Sequence, residues 1–178
     1  MHRQDWLKLS TEELLKFIEH DHRRIIEKLL KLQTLLEQPT KHRSDAQDSM
    51  LASLREFLPS LKAGLEKHFA SEEQLLFPYI RKMDKFDSGL GAKPEFHRSS
   101  IKNPISLLES EHDVTENVIF KEIHTITEHS PISDDEAFST LCNGLKDIQN
   151  ILSEHIHVEN TVLFPLAIEL ELRLMHKK

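Results

Sequence analysis

One eleven-residue pattern occurs twice in this chain. His68-Phe69-Ala70-Ser71-Glu72-Glu73-Gln74-Leu75-Leu76-Phe77-Pro78 returns as His155-Ile156-His157-Val158-Glu159-Asn160-Thr161-Val162-Leu163-Phe164-Pro165. In both copies a glutamate follows the histidine by four residues, and Phe-Pro closes the segment. Positions four apart share one face of an α-helix, so each copy aims an imidazole and a carboxylate the same way. Two such faces turned toward each other enclose two nitrogens and two carboxylates. That is a ligand set for a pair of metal ions.

Two further histidines extend the duplication. His22 precedes His68 by 46 residues, and His112 precedes His155 by 43. The order is a lone histidine, a His-x-x-x-Glu pair, a lone histidine and a second pair. It reads as two helical hairpins of one design. The predicted fold is therefore all-α: an up-down four-helix bundle with an internal pseudo-twofold axis through the site. A single domain over residues 1–178 is expected, with the bundle core at about 10–173.

Composition agrees and removes several alternatives. Four glycines, 6% aromatic residues and 30% charged residues suit helices. A formal charge of -7 without a basic stripe argues against nucleic acid as a partner. Cys142 is the only cysteine, so neither an internal disulfide nor a thiolate cluster can form. No apolar run is long enough for a bilayer and no signal-peptide core is present, so no membrane partner and a cytoplasmic setting are expected. Twelve histidines add weight to metal binding.

Local signals place the helices. Ser10 and Glu13 have capping-box spacing at the start of the first helix. Its stripe is Leu14, Leu15, Ile18, Ile25, Leu29, Leu32 and Leu36, ending near Pro39 before a polar loop at 39–47. The second helix is expected from about Asp48 to about Lys82. Pro59 should kink it or mark its true start, and Pro78 should break or bend its end. Residues 84–102, with Gly89, Gly91 and Pro94, read as a long irregular connection. Asn103 at the N-cap and Pro104 at the first turn should open a third helix that runs to about Glu128 and stops at His129-Ser130-Pro131. Ser133 should cap the fourth, with Asp134, Asp135 and Glu136 in its first turn; it runs to about Arg173 and bends near Pro165.

The helical stripes turn the chemistry inward. His22 lies between Ile18 and Ile25, and His112 is four after Leu108. His68 follows Leu61 and Leu65; His155 follows Ile148, Ile151 and Leu152. An inward carboxylate needs a cation or a hydrogen-bond network, which Glu72 and Glu159 must find. The candidate metal ligands are His22, His68, Glu72, His112, His155 and Glu159. A single inward histidine is ordinarily a satisfied core residue; it is the duplication that sets these six apart. Imidazole mixed with carboxylate suits iron, manganese or zinc and not an all-oxygen calcium site. Two bridging carboxylates with terminal histidines favour two irons.

Other residues compete for roles. His20 lies two before His22, so both cannot face inward. The neighbours of His20 at helical spacing, Glu13, Lys16, Arg24 and Glu27, form a solvated face, which favours His22. His157 should face outward for the same reason. His42, His97, His124 and His129 fall in loops or off the stripe. Glu73, Glu111 and Glu116 could stand behind the ligands, although surface solvation is the commoner fate of such residues. Cys142 reads as a small core residue rather than a reactive thiol.

The paired segments at 68–78 and 155–165 resemble the hemerythrin-like HHE cation-binding domain, and the resemblance covers about residues 10–170. Pro104-Ile105-Ser106-Leu107-Leu108-Glu109-Ser110-Glu111-His112-Asp113 is similar to the third-helix motif of one subgroup, the di-iron Repair of Iron Centres proteins. The resemblance implies that His22, His68, His112 and His155 are terminal ligands and that Glu72 and Glu159 are bridges. It implies two iron ions with oxo and carboxylate bridges, with zinc or manganese as substitutes. Glu159, four after His155, departs from the oxygen carriers, which pair His with Asp at a longer spacing, and agrees with the repair subgroup. Where the subgroup has Tyr-His-x-x-His-Arg, this chain has Glu19-His20-Asp21-His22-Arg23, which leaves the first ligand open between His20 and His22. Subgroup members also carry an N-terminal domain with adjacent cysteines, which these 178 residues do not include.

Three classes of function follow. The first is a di-iron protein of the nitrosative and oxidative stress response. It would react with nitric oxide or peroxide, as a nitric oxide reductase or another oxidoreductase would, or donate iron to damaged iron–sulfur clusters in client proteins. The second is a carrier or sensor of oxygen or nitric oxide. The third is metal storage or a structural zinc bundle. Ferritin-like bundles use Glu-x-x-His at three-residue spacing, and structural zinc usually takes cysteine, so the third is disfavoured. The oligomeric state stays open.

Overall fold

The structure is a computed structural model that describes residues 6–37, 45–94, 100–128 and 136–175. Four helices result. Helix α1 is Thr11–Leu36. Helix α2 runs as Asp45–Ser71, a π-helical turn over Glu72–Leu76, and Phe77–Asp87. Helix α3 runs as Lys102–Val114, a π-helical turn over Thr115–Ile119, and Phe120–Glu128. Helix α4 runs as Glu136–Val158, a π-helical turn over Glu159–Leu163, and Phe164–Met175. Contacts between helices show that successive helices are antiparallel. Thr11 of α1 bonds to Asp84 near the end of α2 (2.8 Å), while α1 Lys28 meets α4 Asp147 (3.1 Å). The fold is an up-down bundle in which α1 also adjoins α4. Among the described residues no strand occurs, and no helix is long and apolar enough to cross a membrane.

The helix ends test the local readings. At the start of α1 the Glu13 N–H donates to Ser10 Oγ (3.3 Å), and the Ser10 N–H donates back to Glu13 Oε2 (2.8 Å), so the capping box forms as expected. Helix α2 begins earlier than expected, at Asp45, and Pro59 lies inside it. Proline removes one backbone bond there, but buried Leu58 and Leu61 on either side hold the segment against the core. The same helix continues past Pro78 to Asp87, where Gly89 takes a positive φ of 75° and closes it. The Leu90 N–H reaches Lys85 O (2.8 Å) and the Gly89 N–H reaches Phe86 O (3.1 Å), the paired bonds of a Schellman cap. The expected cap at Ser133, with Asp134 and Asp135, lies outside the described residues, as do Pro39, His42, His97 and His129.

Helix α3 corrects the sequence reading. It starts at Lys102, so Asn103 lies within the helix and is not its cap. The cap comes from another helix. Glu171 of α4, buried, accepts the Ile101 N–H (3.0 and 3.1 Å), the Ser100 hydroxyl (2.6 Å) and the Tyr79 hydroxyl (3.4 Å). A carboxylate at a helix N-terminus satisfies open donors and meets the positive end of the helix dipole. Burial and the neighbouring Glu171 push the Tyr79 phenol up to about 12. Tyr79 is the only tyrosine, so a tyrosinate absorbance titration reads this group alone. The midpoint is expected near 12 in the native protein and closer to the ordinary 10 in Glu171→Gln. The unfolded chain ionises first, so the stability tied to the neutral phenol is complete below pH 10 and is lost as pH climbs toward 12. A native midpoint at 10 would contradict the contact.

The three π-helical turns were not expected from the sequence, and two of them explain why Pro78 and Pro165 are tolerated. In α2 the Phe77 N–H bonds back to Glu72 O, and in α4 the Phe164 N–H bonds to Glu159 O, each one residue before proline. The wider turn relieves the clash between the proline ring and the preceding carbonyls. A side-chain hydroxyl also enters the turn before each of them. Ser71 Oγ donates to Lys67 O (3.1 Å), Thr115 Oγ1 to Glu111 O (3.0 Å) and Thr161 Oγ1 to His157 O (2.7 Å). Such bonds compete with the backbone ladder for the same carbonyls.

The apolar core has two halves. One contains Ile25, Leu29, Leu54, Leu58, Ile123, Leu145 and Ile148; the other contains Leu14, Ile18, Ile80, Ile105, Val162 and Leu170. Between them lies a polar layer made by His22, His68, Glu72, His112, His155 and Glu159.

Candidate metal centre

All four helices supply the polar layer. His22 comes from α1, His68 and Glu72 from α2, His112 from α3, and His155 and Glu159 from α4. Both glutamates are fully buried; His22, His112 and His155 are buried, and His68 is 10% exposed. The phenylalanines of the two Phe-Pro pairs pack on the lone histidines. Phe77 stacks on His22 (centroids 6.0 Å) and Phe164 on His112 (5.8 Å). This gives the repeated Phe-Pro a purpose: one residue fixes a ring, and the other sits where the helix widens.

The six side chains divide into two overlapping groups. His22, Glu72, His155 and Glu159 form one; His68, Glu72, His112 and Glu159 form the other. Within each, the available ligand atoms lie within 4.8 Å of one another. Glu72 and Glu159 belong to both. Glu72 lies 3.2 Å from His22 Nε2 through Oε2 and 3.4 Å from His68 Nε2 through Oε1. Glu159 Oε2 lies 3.2 Å from His112 Nε2 and 3.1 Å from His155 Nε2. Each group takes one histidine from each hairpin, so neither hairpin could complete a position alone.

Behind the rings stand oxygen acceptors. His22 Nδ1 donates to Glu73 Oε1 (2.7 Å), His68 Nδ1 to Glu111 Oε2 (2.6 Å) and His112 Nδ1 to Asn160 Oδ1 (2.8 Å). With the Nδ1 proton committed, a neutral ring presents a bare Nε2 inward. His68 Nε2 and His112 Nε2 are then only 3.1 Å apart, two lone pairs that repel unless a proton or a cation lies between them. The carboxylates are in a similar position: all four oxygens of Glu72 and Glu159 are buried without a hydrogen bond of good geometry. Unpartnered buried charge is costly, and a divalent cation at each position would satisfy every one of these atoms. The residues present therefore fit a metal pair.

The electrostatics of the layer follow from burial and from the neighbouring charges. Burial pushes the Glu72 carboxyl well above the usual range, and the neighbouring Glu159 adds to it. Burial acts on Glu159 too, but His155 and His112 outweigh it and hold that carboxyl low. Burial, reinforced by His155, drives the His22 imidazole down to about 2. Burial lowers His68 against the pull of Glu111. For His112, burial is outweighed by Glu159 and Asn160, and its imidazole ends above the ordinary value. His22 thus stays neutral near neutral pH.

The structure brings the six sequence-selected residues together. His20, His157 and His124 are exposed and away from the layer, so His22 and not His20 faces it. Glu73 and Glu111 stand behind histidines, whereas Glu116 is exposed. Cys142 is buried in the core. Sequence reasoning missed Asn160. The signal was available, since Asn160 occupies the same place in the second copy of the motif as Glu73 in the first.

Comparison with known proteins finds relatives of this chain. A family model described as the hemerythrin HHE cation binding domain matches residues 13–167. A protein from Enterobacter sp. (strain 638) named iron-sulfur cluster repair protein YtfE is 32% identical over 170 residues, covering 93% of this chain and 70% of that protein. Proteins of the same name from Escherichia coli O1:K1 / APEC and from Escherichia fergusonii are each 31% identical over 172 residues, with the same coverage.

Proposed function

We propose that this chain, which belongs to the hemerythrin HHE cation-binding family, is a di-iron protein that serves the repair of iron–sulfur clusters under nitrosative or oxidative stress. The observation that carries the reading is the sharing of Glu72 and Glu159 between two histidine-containing groups. His22 and His155 would hold one iron, His68 and His112 the other, and the two carboxylates would bridge them. Bound iron would supply the redox equivalents and the coordination positions for nitric oxide, oxygen or peroxide. Glu73, Glu111 and Asn160 orient three imidazoles and keep their inward nitrogens free of protons. Phe77, Phe164 and the two apolar half-cores exclude bulk water. A cavity of about 10 Å³ between Leu65, Phe69, Thr115, Leu152 and Ile156, beside His68, His112 and His155, is near the least room a water-sized molecule needs. It suits a small ligand and no larger substrate.

The test is metal analysis of anaerobically loaded protein with its visible spectrum in air, followed by a repair assay. Expected are two irons per chain with oxo-bridged charge-transfer bands, and recovery of activity in a nitric-oxide-damaged iron–sulfur enzyme when the loaded chain is added. A chain that takes up no iron overturns the metal assignment. A loaded chain that restores nothing leaves a carrier or sensor and overturns the repair role.

A further inference from the structure

Three of the four site histidines have an acceptor on Nδ1, and His155 does not: its Nδ1 is buried with no hydrogen bond. The internal twofold says where a partner should stand. It relates α1 to α3 and α2 to α4, so His22 corresponds to His112, and His68 to His155. The side chains follow this closely. The His22 and His155 rings are 4.9 Å apart at 64°, and the His68 and His112 rings are 5.0 Å apart at 61°.

In the second pair, His68 is held by Glu111, the residue immediately before His112. The residue immediately before His22 is Asp21. Asp21 is only 3% exposed on a helix that packs against α4, and the ion pair it makes, with Arg24, is a loose 3.9 Å. Its chain neighbour His22 has its ring 4.9 Å from that of His155. A buried carboxylate held only by a loose ion pair, and a buried imidazole nitrogen without a hydrogen bond on the adjoining helix, have cause to pair. Aspartate is one methylene shorter than glutamate. A side-chain rotation or one bridging water would make up that methylene.

We infer that Asp21 is the positioning residue for His155, accepting its Nδ1–H directly or through one water and so aiming Nε2 at Glu159 and the first metal position. The inference rests on the di-iron reading. It also makes the two positions unequal. Both histidines of the first are backed by carboxylates, Glu73 and Asp21, whereas the second has Glu111 and the uncharged Asn160. A carboxylate behind a ligating imidazole raises its basicity, and losing such a partner typically costs about 10–100-fold in metal affinity.

The experiment loads the full chain with Fe(II) anaerobically and follows iron extraction by a chelator. Asp21→Ala is expected to release one of its two irons at least about tenfold faster than the native protein, with the other unchanged. Asp21→Asn, which keeps an acceptor oxygen at the same length, should fall between. Extraction from Asp21→Ala at the native rate overturns the inference. So does equal acceleration of both irons with a lowered metal-free melting temperature, which would make Asp21 a packing residue. A native chain that takes up no iron overturns the di-iron reading itself, and this inference with it.

Discussion

Glu159→Ala and Glu72→Ala are each expected to lose metal at both positions, while His22→Ala loses it at one. The carboxylates belong to both ligand groups and each histidine to a single one. Removing a bridge takes a ligand from both ions and lets two cations face each other across less negative charge. Removing His22 leaves His68, His112 and both carboxylates in place. Elemental analysis after anaerobic loading should find about two irons in the native protein, about one in His22→Ala, and well under one in either glutamate variant. Helical circular dichroism should stay close to native in all of them, because the two apolar half-cores do not depend on the polar layer. Equal metal loss in all three variants would show that the sites do not share the carboxylates. Full metal content in Glu159→Ala would remove it from the ligand set.

The second large effect has the opposite sign. Replacing Glu72 and Glu159 together with methionine should stabilise the metal-free protein. Six polar side chains interrupt an otherwise continuous core, and the carboxylate oxygens lack hydrogen bonds there. Exchanging buried, poorly compensated ionic groups for apolar ones of similar volume is often stabilising by about 1–4 kcal/mol. We expect a gain of about 2 kcal/mol in urea unfolding of the metal-free chain, with all metal binding lost. The native protein should recover that stability, and more, when iron is added, since a ligand bound only by the folded state stabilises it by mass action. A metal-free double variant less stable than the native metal-free chain would show that the layer is satisfied without a cation.

Much of the fold was legible because its signals are local. The Ser10–Glu13 cap, the α1 stripe and the inward faces of four histidines follow from spacing on a helix, and they hold in the structure. The six candidate ligands were found because each motif occurs twice, and repetition separates a site from a lone buried histidine. Helix ends set by distant residues were illegible. The start of α3 is capped by Glu171, 70 residues away, so Asn103-Pro104 pointed to a boundary one to two residues late. Pro59 read as a kink or a helix start, and Pro78 as a break or a bend, since a proline costs a helix bond wherever it stands. Whether that cost is borne depends on packing around Pro59 and on a widened turn before Pro78.

The sequence by itself determined which side chains face inward, because the helical repeat converts spacing into direction without reference to any other helix. It determined the family for the same reason: the paired motifs are complete within eleven residues. Only the tertiary structure decided how the inward groups combine. Each hairpin brings a lone histidine and a His-x-x-x-Glu pair, and a hairpin read alone suggests one metal for itself. The packing of α1 on α4 and of α2 on α3 pairs His22 with His155 and His68 with His112 instead, and places both glutamates between the pairs. That choice rests on which helix faces pack together, a property of the assembled bundle that no segment of the chain carries.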